Sequence, residues 1–299
     1  MELVILSGKG GTGKTTIATA LSELAKDVVR IDCDVDAPNL YLFYKGVDIE
    51  KKSFYSGKKA VINEDYCNRC GKCEITCKFN VIKDYMVDDF LCEGCGACTL
   101  ICPEKAIKLV ENKSAETFIT STDKGIISRA QIDIGSDGSG KLVTFLRNNG
   151  KKFAAEDTLT IIDASPGIGC PVISSITGSD AVLLVTEPTK SGLEDLMRVT
   201  ALCMSFGVFI MVCINKYDIN YNITVEIEKF VAEKELVLVG KIPYDDTVMK
   251  SINELKSIIY YEDSEACRSV KEMWVNIKNI FTKNFRMEEY INEKSSGLL

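Results

Sequence analysis

The stretch LVILSGKGGTGKTT, residues 3–16, decides the fold of this 299-residue chain. Its apolar start predicts a short first strand, a glycine-rich loop follows, and apolar residues then recur at helical spacing through Leu24. Residues 8–15 match the pattern G-x-x-x-x-G-K-[ST]. This pattern indicates a phosphate-binding loop when it lies between a strand and a helix, as it does here. Its glycines let backbone N–H groups surround phosphate oxygens, and the helix N-terminus adds partial positive charge.

The motif predicts a role for individual side chains in the loop. Lys14 is expected on the β and γ phosphates of a nucleotide, and the Thr15 hydroxyl is expected on Mg²⁺. A glycine-rich turn without a ligand is the alternative, and the complete motif disfavours it. The predicted nucleotide ligands of this segment are Gly8, Gly10, Gly11, Thr12, Gly13, Lys14, Thr15 and Thr16.

Carboxylates follow two further predicted strands. The strand 28–32 runs into a segment that contains Asp34, and the stretch 158–162 predicts a strand that ends at Asp163 and leads to Gly167. An aspartate at a strand end can hold the water shell of Mg²⁺, and a glycine N–H can reach the γ-phosphate. Asp163 is therefore predicted, with Thr15, as a magnesium site.

The remainder of the chain alternates strand-like and helix-like stretches. Strands are predicted at 181–185, 209–214 and 237–242, with helices at 192–206 and 222–234. This alternation predicts an α/β fold with a doubly wound, mostly parallel sheet and the nucleotide at the carboxyl ends of the strands.

Eight of the thirteen cysteines repeat one spacing between residues 67 and 102. Each half reads C-x₂-C-x₂-C-x₃-C, the bacterial ferredoxin run, in which the fourth cysteine binds the other cluster. The run predicts two [4Fe–4S] clusters, one held by Cys67, Cys70, Cys73 and Cys102, and the other held by Cys92, Cys95, Cys98 and Cys77. A zinc ribbon formed by Cys70, Cys73, Cys92 and Cys95 is the alternative, and it leaves four cysteines without a role.

Composition excludes several classes of function. The chain has no histidine, so His-ligated zinc and Ser-His or Cys-His catalysis are excluded. A formal charge of -7 and the lack of a basic run argue against nucleic acid or anionic lipid as partners. The first residues resemble a strand rather than a signal peptide, and the longest apolar run, near 208–214, is too short to span a bilayer. We therefore expect a cytoplasmic protein with reduced thiols.

An additional lysine, Lys9, gives the loop the form GKGGTGKT. This form resembles the deviant Walker A family of P-loop NTPases of the SIMIBI type, which includes MinD, ParA, Mrp and the nitrogenase iron protein. The resemblance implies that Lys9 reaches the partner's nucleotide in a homodimer and that Asp34 orients or deprotonates the attacking water. It also implies Walker B and switch II roles for Asp163 and Gly167.

The segment 215–218, Asn-Lys-Tyr-Asp, follows a predicted strand. The family resemblance implies that Asn215 contacts adenine, so ATP with Mg²⁺ is the expected ligand. The same pattern is typical of guanine recognition in GTPases, so GTP stays open as an alternative.

The chain as a whole resembles members of this superfamily that contain an inserted ferredoxin domain. This predicts a P-loop ATPase domain in two parts, residues 1–59 and 113–299, around a small α+β ferredoxin-like module at 60–112. ATP hydrolysis in a homodimer is then expected to drive electron transfer to an unknown redox partner.

Two alternatives to electron transfer exist. One is an iron-sulfur carrier of the Mrp type that loads an apo-protein. The other is a positioning ATPase like MinD, which the acidic tail at 288–294 disfavours because membrane binding needs a basic amphipathic helix.

Other features are expected to be structural. Cys170 lies at an offset similar to a cluster ligand of the nitrogenase iron protein, but a buried thiol is the preferred interpretation, as for Cys203, Cys213 and Cys267. The loop 135–141 matches most of a second P-loop, yet Leu142 replaces the hydroxyl residue, so a plain helix start is predicted there. The apolar stripe 274–281 is predicted to pack in the core.

Overall fold

The computed structural model describes residues 1–25, 27–155 and 158–285, so the predicted acidic tail 288–294 lies outside the described residues. The strands are β1 (Glu2–Leu6), β2 (Val28–Cys33), β3 (Gly46–Ile62), β4 (Ile82–Lys83), β5 (Met86–Val87), β6 (Ile107–Thr122), β7 (Gly125–Ile132), β8 (Thr160–Ala164), β9 (Ala181–Thr186), β10 (Phe209–Asn215) and β11 (Val237–Ile242). The α-helices are α1 (Lys14–Leu24), α2 (Lys72–Thr76), α3 (Ala97–Ile101), α4 (Gly140–Lys151), α5 (Cys170–Ile176), α6 (Lys190–Ser205), α7 (Tyr221–Glu233), α8 (Asp246–Asn253) and α9 (Glu265–Phe285).

The described chain divides into two compact units. The first, here called the P-loop unit, consists of residues 1–51, 118–130 and the described residues from 139 onward. The second, here called the cysteine unit, consists of residues 52–117 and 131–138. The insertion predicted at 60–112 lies inside the cysteine unit.

The main sheet has the strand order β11-β10-β9-β1-β8-β2-β7-β6-β3. The pairs β10–β11, β9–β10, β1–β9, β1–β8, β2–β8 and β2–β7 are all parallel. The predicted α/β class with a mostly parallel sheet is therefore confirmed. β1 lies near the middle of the sheet, which places the loop that follows it between the carboxyl ends of several strands.

Both faces of the P-loop unit's sheet are buried. Leu3 and Ile5 of β1 belong to one core with residues of α1 and α9. Val4 and Leu6 are equally buried and point to the opposite face, because side chains alternate along a strand. Most of the predicted stripe 274–281 lies in this core, with Trp274, Ile277 and Phe281 buried, but Val275 is 49% exposed and is the exception to the prediction.

The cysteine unit is built on two short helices of similar geometry. Gly71 precedes α2 with φ 73°, and Gly96 precedes α3 with φ 81°, a left-handed conformation that favours glycine. Cys77 ends α2 and Cys102 ends α3, both with extended backbone. The core of the unit consists of Ala60, Cys73, Val81, Ile82, Cys98 and Ile107. Cysteines thus supply part of a very small core.

Three strands at one side of the sheet were not predicted. β3 and β6 carry the chain from the P-loop unit into the cysteine unit and back, and residues 123 and 124 then lead from β6 to β7. β3 is exposed along most of its length and shows no regular alternation of buried and exposed residues. Its sequence therefore lacks the apolar–polar alternation by which a strand is predicted.

The strand predicted at 158–162 was also placed too early. Thr158 bonds back to Ala155: its N–H donates to the Ala155 carbonyl at 3.1 Å, and its hydroxyl accepts from the Ala155 N–H at 2.9 Å. β8 therefore begins at Thr160, and Asp163 lies within the strand rather than after it. Among the described helices, none is long and apolar enough to cross a membrane.

Candidate nucleotide and metal sites

The side chain of Lys14 lies at the centre of the phosphate-loop site. Its Nζ is 2.5 Å from Asp163 Oδ1 and 3.3 Å from Asp34 Oδ2, and the Thr15 hydroxyl donates to Asp163 Oδ2 at 2.6 Å. Burial lowers the pKa of Lys14, but the charges of Asp163 and Asp34 outweigh this effect and raise it above its ordinary value. The structure thus brings together the predicted phosphate lysine, the two predicted magnesium ligands and the predicted catalytic carboxylate.

Strand register explains why these carboxylates meet. Asp163 of β8 is the register partner of Ile5 in β1 and of Asp32 in β2. Asp32 is fully buried, and its carboxylate accepts hydrogen bonds from the N–H groups of Leu40 at 3.1 Å and Asp34 at 3.3 Å. Burial together with the charge of Asp163 raises the pKa of Asp32 well above its ordinary value. Asp32 therefore shapes the loop that carries Asp34.

The same two effects act on Asp34 more weakly. Burial raises the pKa of Asp34, Lys14 lowers it, and Asp163 raises it further, so the net shift is upward. A carboxylate with a raised pKa is a better proton acceptor than an ordinary aspartate, as a base for water requires.

The glycines of the loop leave room that a side chain would fill. A Cβ on Gly8 would lie 2.4 Å from the Cβ of Asp195, and one on Gly13 would lie 2.4 Å from Asn215 Nδ2. Gly10 and Gly11 face open space. Thr12 is buried, and its hydroxyl has no hydrogen-bond partner among the described residues. Open glycines and an unsatisfied buried hydroxyl fit a loop that binds an anion.

Gly167 is close to the same loop. Its N–H donates to the Ser7 carbonyl at 2.9 Å. The predicted contact of this N–H with a γ-phosphate is therefore not made in this structure and stays a prediction.

A cavity of about 850 Å³, a volume that includes open solvent, adjoins the N-terminus of α1. Gly11, Gly13 and Thr16 form its phosphate-loop side, and Asn215 and Lys216 line it at the end of β10. Its remaining wall is formed by Ile17, Ile242, Pro243, Tyr244, Asp245, Val248, Met249, Ile252, Ile258, Ala266 and Val270. A mostly apolar cavity with a few polar groups beside a phosphate loop has the character of a nucleoside pocket.

Asn215 connects this cavity to the phosphate loop. Its amide Nδ2 donates to the Thr12 carbonyl at 2.7 Å. Asp218 of the same motif does not line the cavity, and its Oδ1 accepts from the Tyr244 N–H at 2.7 Å. Asp218 therefore holds the Tyr244 backbone rather than facing the pocket.

Asp245 lines the cavity but its oxygens are engaged. Oδ1 accepts from the Thr247 N–H at 2.8 Å, and Oδ2 accepts from the Ser264 hydroxyl at 2.6 Å and the Ala266 N–H at 3.2 Å. Burial raises the pKa of Asp245, but hydrogen bonds from Ser264 and Thr247 outweigh it and hold the pKa at about 2. Asp245 thus links the starts of α8 and α9.

Lys9 is bound within its own chain in this structure. Its Nζ is 2.6 Å from Glu187 Oε1 and donates to the hydroxyls of Thr189 at 3.1 Å and Ser191 at 3.2 Å. The predicted reach of Lys9 to a partner's nucleotide is not tested by a single chain. Glu187, Tyr244 and Asp245 were missed by sequence reasoning; each follows a strand end, the one signal that could have found them.

The first predicted cluster set surrounds one cavity. Cys67, Cys70 and Cys73 line it together with Cys102 from the second half of the repeat. The cavity has a volume of about 310 Å³, which includes open solvent, and its other lining residues are Ile62, Asn68, Gly71, Lys72, Tyr85 and Ile107. Cys102 Sγ also accepts a hydrogen bond from the Ala106 N–H at 3.3 Å.

Three cysteines of the second predicted set lie in or against the small core. Cys98 is buried in the small core, and Cys92 and Cys77 pack against that core. Cys92 Sγ accepts from the Ala60 N–H at 3.4 Å. Gly94, with φ 60°, is required here because a Cβ would lie 1.9 Å from the Lys58 carbonyl oxygen. Cys95, like Cys70, is exposed.

No three Cys, Asp or Glu side chains of the described ranges are grouped so as to hold a single metal ion. This includes the alternative zinc set Cys70, Cys73, Cys92 and Cys95. Ligands of a cubane each bind a different iron atom, so they need not converge on one point. Four thiols around one cavity, with an N–H group donating to the sulfur of Cys102, fit such a cluster.

The prediction for Cys170 was wrong. This thiol is exposed, because Cys170 is the first residue of the short helix α5 and follows the exposed Gly169. Cys203, Cys213 and Cys267 are buried as predicted. The loop 135–141 leads into α4, whose start is capped by the Ser139 hydroxyl accepting from the Leu142 N–H at 3.2 Å. The helix start predicted there is confirmed.

A glycine-rich loop after a central β1, the Asp163 carboxylate of β8 beside Lys14 and Thr15, and a pocket at the ends of β10 and β11 are the features of a P-loop nucleotide-binding protein. Residues 3–258 match the model of the CobQ/CobB/MinD/ParA nucleotide binding domain. The chain belongs to this family.

Known proteins resemble the chain over most of its length. An uncharacterized protein of Methanocaldococcus jannaschii is 36% identical over 281 residues, which cover 93% of this chain and 96% of the relative. An uncharacterized ATP-binding protein of the same organism is 26% identical over 280 residues, or 91% of this chain and 86% of the relative. The solved structure of the septum site-determining protein MinD with Mg-ADP from Pyrococcus horikoshii OT3 has a TM-score of 0.58 and 19% identity, covering 93% of this chain and 96% of that chain. The last similarity shows the fold alone.

Proposed function

We propose that this protein binds and hydrolyses Mg-ATP in its P-loop unit and carries two [4Fe–4S] clusters for electron transfer in its cysteine unit. The observation that carries the iron-sulfur half is the cavity lined by Cys67, Cys70, Cys73 and Cys102. Three ligands from one half of the repeat and the fourth from the other half are the set that a two-cluster ferredoxin module requires.

The residues of the phosphate loop support the nucleotide half. Mg²⁺ prefers oxygen ligands, and the Thr15 hydroxyl and the Asp163 carboxylate already contact each other at 2.6 Å. Bound Mg²⁺ would neutralise charge on the phosphate oxygens. Lys14 would then contact the phosphates, and Asp34 would orient or deprotonate the attacking water. In P-loop NTPases a loop lysine contacts the β and γ phosphates, and a loop Ser or Thr together with an aspartate at a strand end holds Mg²⁺.

The pocket favours ATP over GTP. Guanine presents an N1–H and a 2-amino group, which carboxylate oxygens recognise, whereas adenine has no donor at N1. In this chain Asp218 does not line the cavity, and both oxygens of Asp245 accept hydrogen bonds from protein groups. Asp245, the carboxylate among the described residues of the cavity wall, thus has three of its roughly four acceptor positions taken by protein groups, which disfavours guanine. The ATP-binding relative and the MinD complex with Mg-ADP are consistent with this preference.

Tyr244 is the aromatic residue of the cavity wall. The residue is 56% exposed, its N–H donates to Asp218 Oδ1, and its hydroxyl donates to Asp246 Oδ1 at 2.9 Å. A fixed ring at the mouth of an apolar pocket can stack on a base. Replacing Tyr244 by Ala should weaken ATP binding about tenfold, and Tyr244→Phe should retain binding.

The clusters would make the cysteine unit an electron relay, and the family suggests how nucleotide would act on it. In a homodimer closed by ATP through Lys9, hydrolysis would reopen the dimer and change access of a redox partner to the clusters. An iron-sulfur carrier is the second candidate. The burial of Cys73 and Cys98 in the core of the unit favours resident clusters over cargo, because a donated cluster must be released easily.

Anaerobic purification followed by two titrations tests this function. Calorimetry should show Mg-ATP binding and weaker Mg-GTP binding, and a potentiometric EPR titration should show cluster potentials that differ between ATP-bound and ADP-bound protein. Transfer of clusters to an apo-acceptor at a rate that ATP accelerates would favour the carrier instead. Protein that binds no triphosphate, or potentials that nucleotide leaves unchanged, would contradict coupled electron transfer.

A further inference from the structure

One carboxylate, Glu187, contacts two lysines of the candidate nucleotide site. Its Oε1 is 2.6 Å from Lys9 Nζ, and its Oε2 accepts from Lys216 Nζ at 3.4 Å. Lys9 belongs to the phosphate loop, whereas Lys216 lines the 850 Å³ cavity beside Asn215. Glu187 therefore connects the phosphate side of the site with the nucleoside side.

The environment of Glu187 keeps it charged. Its side chain is 15% exposed and that of Lys9 is 27% exposed, so the pair is only partly screened by water. Burial raises the pKa of Glu187, but Lys9 and Lys216 outweigh this effect and hold it below its ordinary value. Two cations share one anion, which neutralises part of the positive charge around the phosphate loop.

The backbone fixes the position of this carboxylate. The Glu187 carbonyl accepts from the Thr189 N–H at 2.8 Å, and a Cβ on Gly192 would lie 2.3 Å from the same carbonyl oxygen. The Thr189 hydroxyl in turn accepts from the Gly192 N–H at 2.9 Å. These hydrogen bonds fix the backbone of residues 187–192, and in this conformation the Glu187 carboxylate contacts both lysines.

A nucleoside triphosphate would compete with Glu187 for these lysines. The triphosphate carries several negative charges, so in the proposed homodimer the phosphates of the nucleotide bound by one chain can replace a single carboxylate as the partner of Lys9 of the other chain. Breaking the ion pair nevertheless costs free energy, which reduces the apparent affinity for nucleotide.

We propose that Glu187 is a positioning residue of the phosphate site, which holds Lys9 and Lys216 in the nucleotide-free protein and releases Lys9 to phosphate oxygens of a nucleoside triphosphate. The inference rests on the proposed nucleotide function and deepens it. Glu187 thus lies at the nucleotide site, but its negative charge lowers the affinity of the site for a nucleoside triphosphate.

The sign of the effect distinguishes this role from a structural one. Calorimetric titration of the full-length, cluster-loaded protein with Mg-ATP should show that Glu187→Gln binds about fivefold tighter than the wild type, because an amide keeps the shape but releases the lysines. The matched control is Glu194→Gln, which removes the same charge from a side chain that is 70% exposed on α6 and should leave affinity unchanged. In a Lys9→Ala background most of the gain from Glu187→Gln should disappear.

Each outcome separates the inference from the proposed function. Wild-type protein that binds Mg-ATP, together with Glu187→Gln protein that binds it equally or more weakly, would overturn the role of Glu187 and leave the nucleotide site intact. A gain that persists in full without Lys9 would overturn the action through Lys9. Wild-type protein that binds no Mg-ATP would overturn the proposed function itself.

Discussion

The side chains of the P-loop unit's site bind one another, whereas two cysteines of the cysteine unit are part of its core. Asp163 contacts Lys14 at 2.5 Å and Thr15 at 2.6 Å, beside a large apolar core on one face of a parallel sheet. In the cysteine unit, two of the six core residues, Cys73 and Cys98, are predicted cluster ligands. A nucleotide would find a folded site in the first unit, while metal binding in the second would contribute to folding itself.

This difference has a physical origin in size. The unit of residues 52–117 and 131–138 has a core cluster of six buried residues, so bound clusters would supply much of its stability. The P-loop unit has enough apolar sequence to fold without its ligand. Substitutions in the cysteine unit should therefore reduce metal content and folding, whereas substitutions at the site of the P-loop unit should mainly reduce nucleotide binding or hydrolysis.

The largest expected effect comes from a cluster ligand. Cys73→Ser removes a thiolate from the core of the cysteine unit, so iron content should fall to half or less, and limited proteolysis should cleave within 52–117 while the P-loop unit stays resistant. Iron analysis and mass spectrometry of the fragments measure this. Cys170→Ser, at an exposed thiol of the P-loop unit, is the control and should keep full iron content. Equal iron in both variants would remove Cys73 from the ligand set.

The next largest effect should be confined to hydrolysis. Asp34→Ala should lower kcat for ATP about a thousandfold, because it removes the carboxylate that orients or deprotonates water. Lys14 would keep its contact with Asp163, so binding of ATP should change little. Turnover and calorimetry on the same preparation separate the two quantities. A variant that hydrolyses ATP at the wild-type rate would exclude Asp34 as the base.

Lys14→Ala should weaken binding of Mg-ATP about a hundredfold, since charge-assisted hydrogen bonds to phosphate are lost. It should also destabilise the nucleotide-free P-loop unit by about 3 kcal/mol, because Asp163 and Asp34 lose their buried cation. Calorimetry and urea unfolding measure both effects. The control is Lys141→Ala, in the loop that resembles a second P-loop; this exposed lysine should affect neither quantity. A comparable loss in the control would indicate a second nucleotide site.

The smallest effect tests how the P-loop unit is held together without ligand. Asp245→Asn should cost about 1 kcal/mol at neutral pH, because Asp245 caps α8 and accepts from α9. The pKa of Asp245 is about 2 in the folded protein against an ordinary 3.8, so its contribution is complete above the ordinary value. It should shrink as the pH falls from about 4 toward 2. Urea unfolding as a function of pH measures it, with the exposed Asp263→Asn as a control that shows no loss.

The sequence predicted the parts of the fold whose signals are local. Buried strands such as β1 and β10 are continuous apolar runs, and the phosphate loop and the cysteine repeat have fixed spacings. β3 was missed because it is a long, mostly exposed edge strand. Its side chains therefore do not alternate between apolar and polar. Cys170 was placed wrongly because a thiol at the first turn of a helix has no pattern that reveals its exposure.

Site residues that belong to a sequence motif could be predicted. Residues that the strand order brings to the site could not. Lys14 and Asp34 follow β1 and β2, and Asp163 lies near the end of β8, so a recognisable strand end marks each of them. Glu187 and Tyr244 reach the same site from β9 and β11, but only the strand order shows that those strand ends adjoin the phosphate loop. Side chains that meet through sheet topology leave no mark in the spacing of the sequence.

The most direct test of the account is the metal content of anaerobically purified and reconstituted protein. Two cubane clusters predict about eight iron and eight acid-labile sulfide per chain, with an EPR signal on reduction. Protein that contains zinc instead, or less than about one iron per chain after reconstitution, would contradict the assignment of the cysteine unit and with it the coupling of nucleotide to electron transfer.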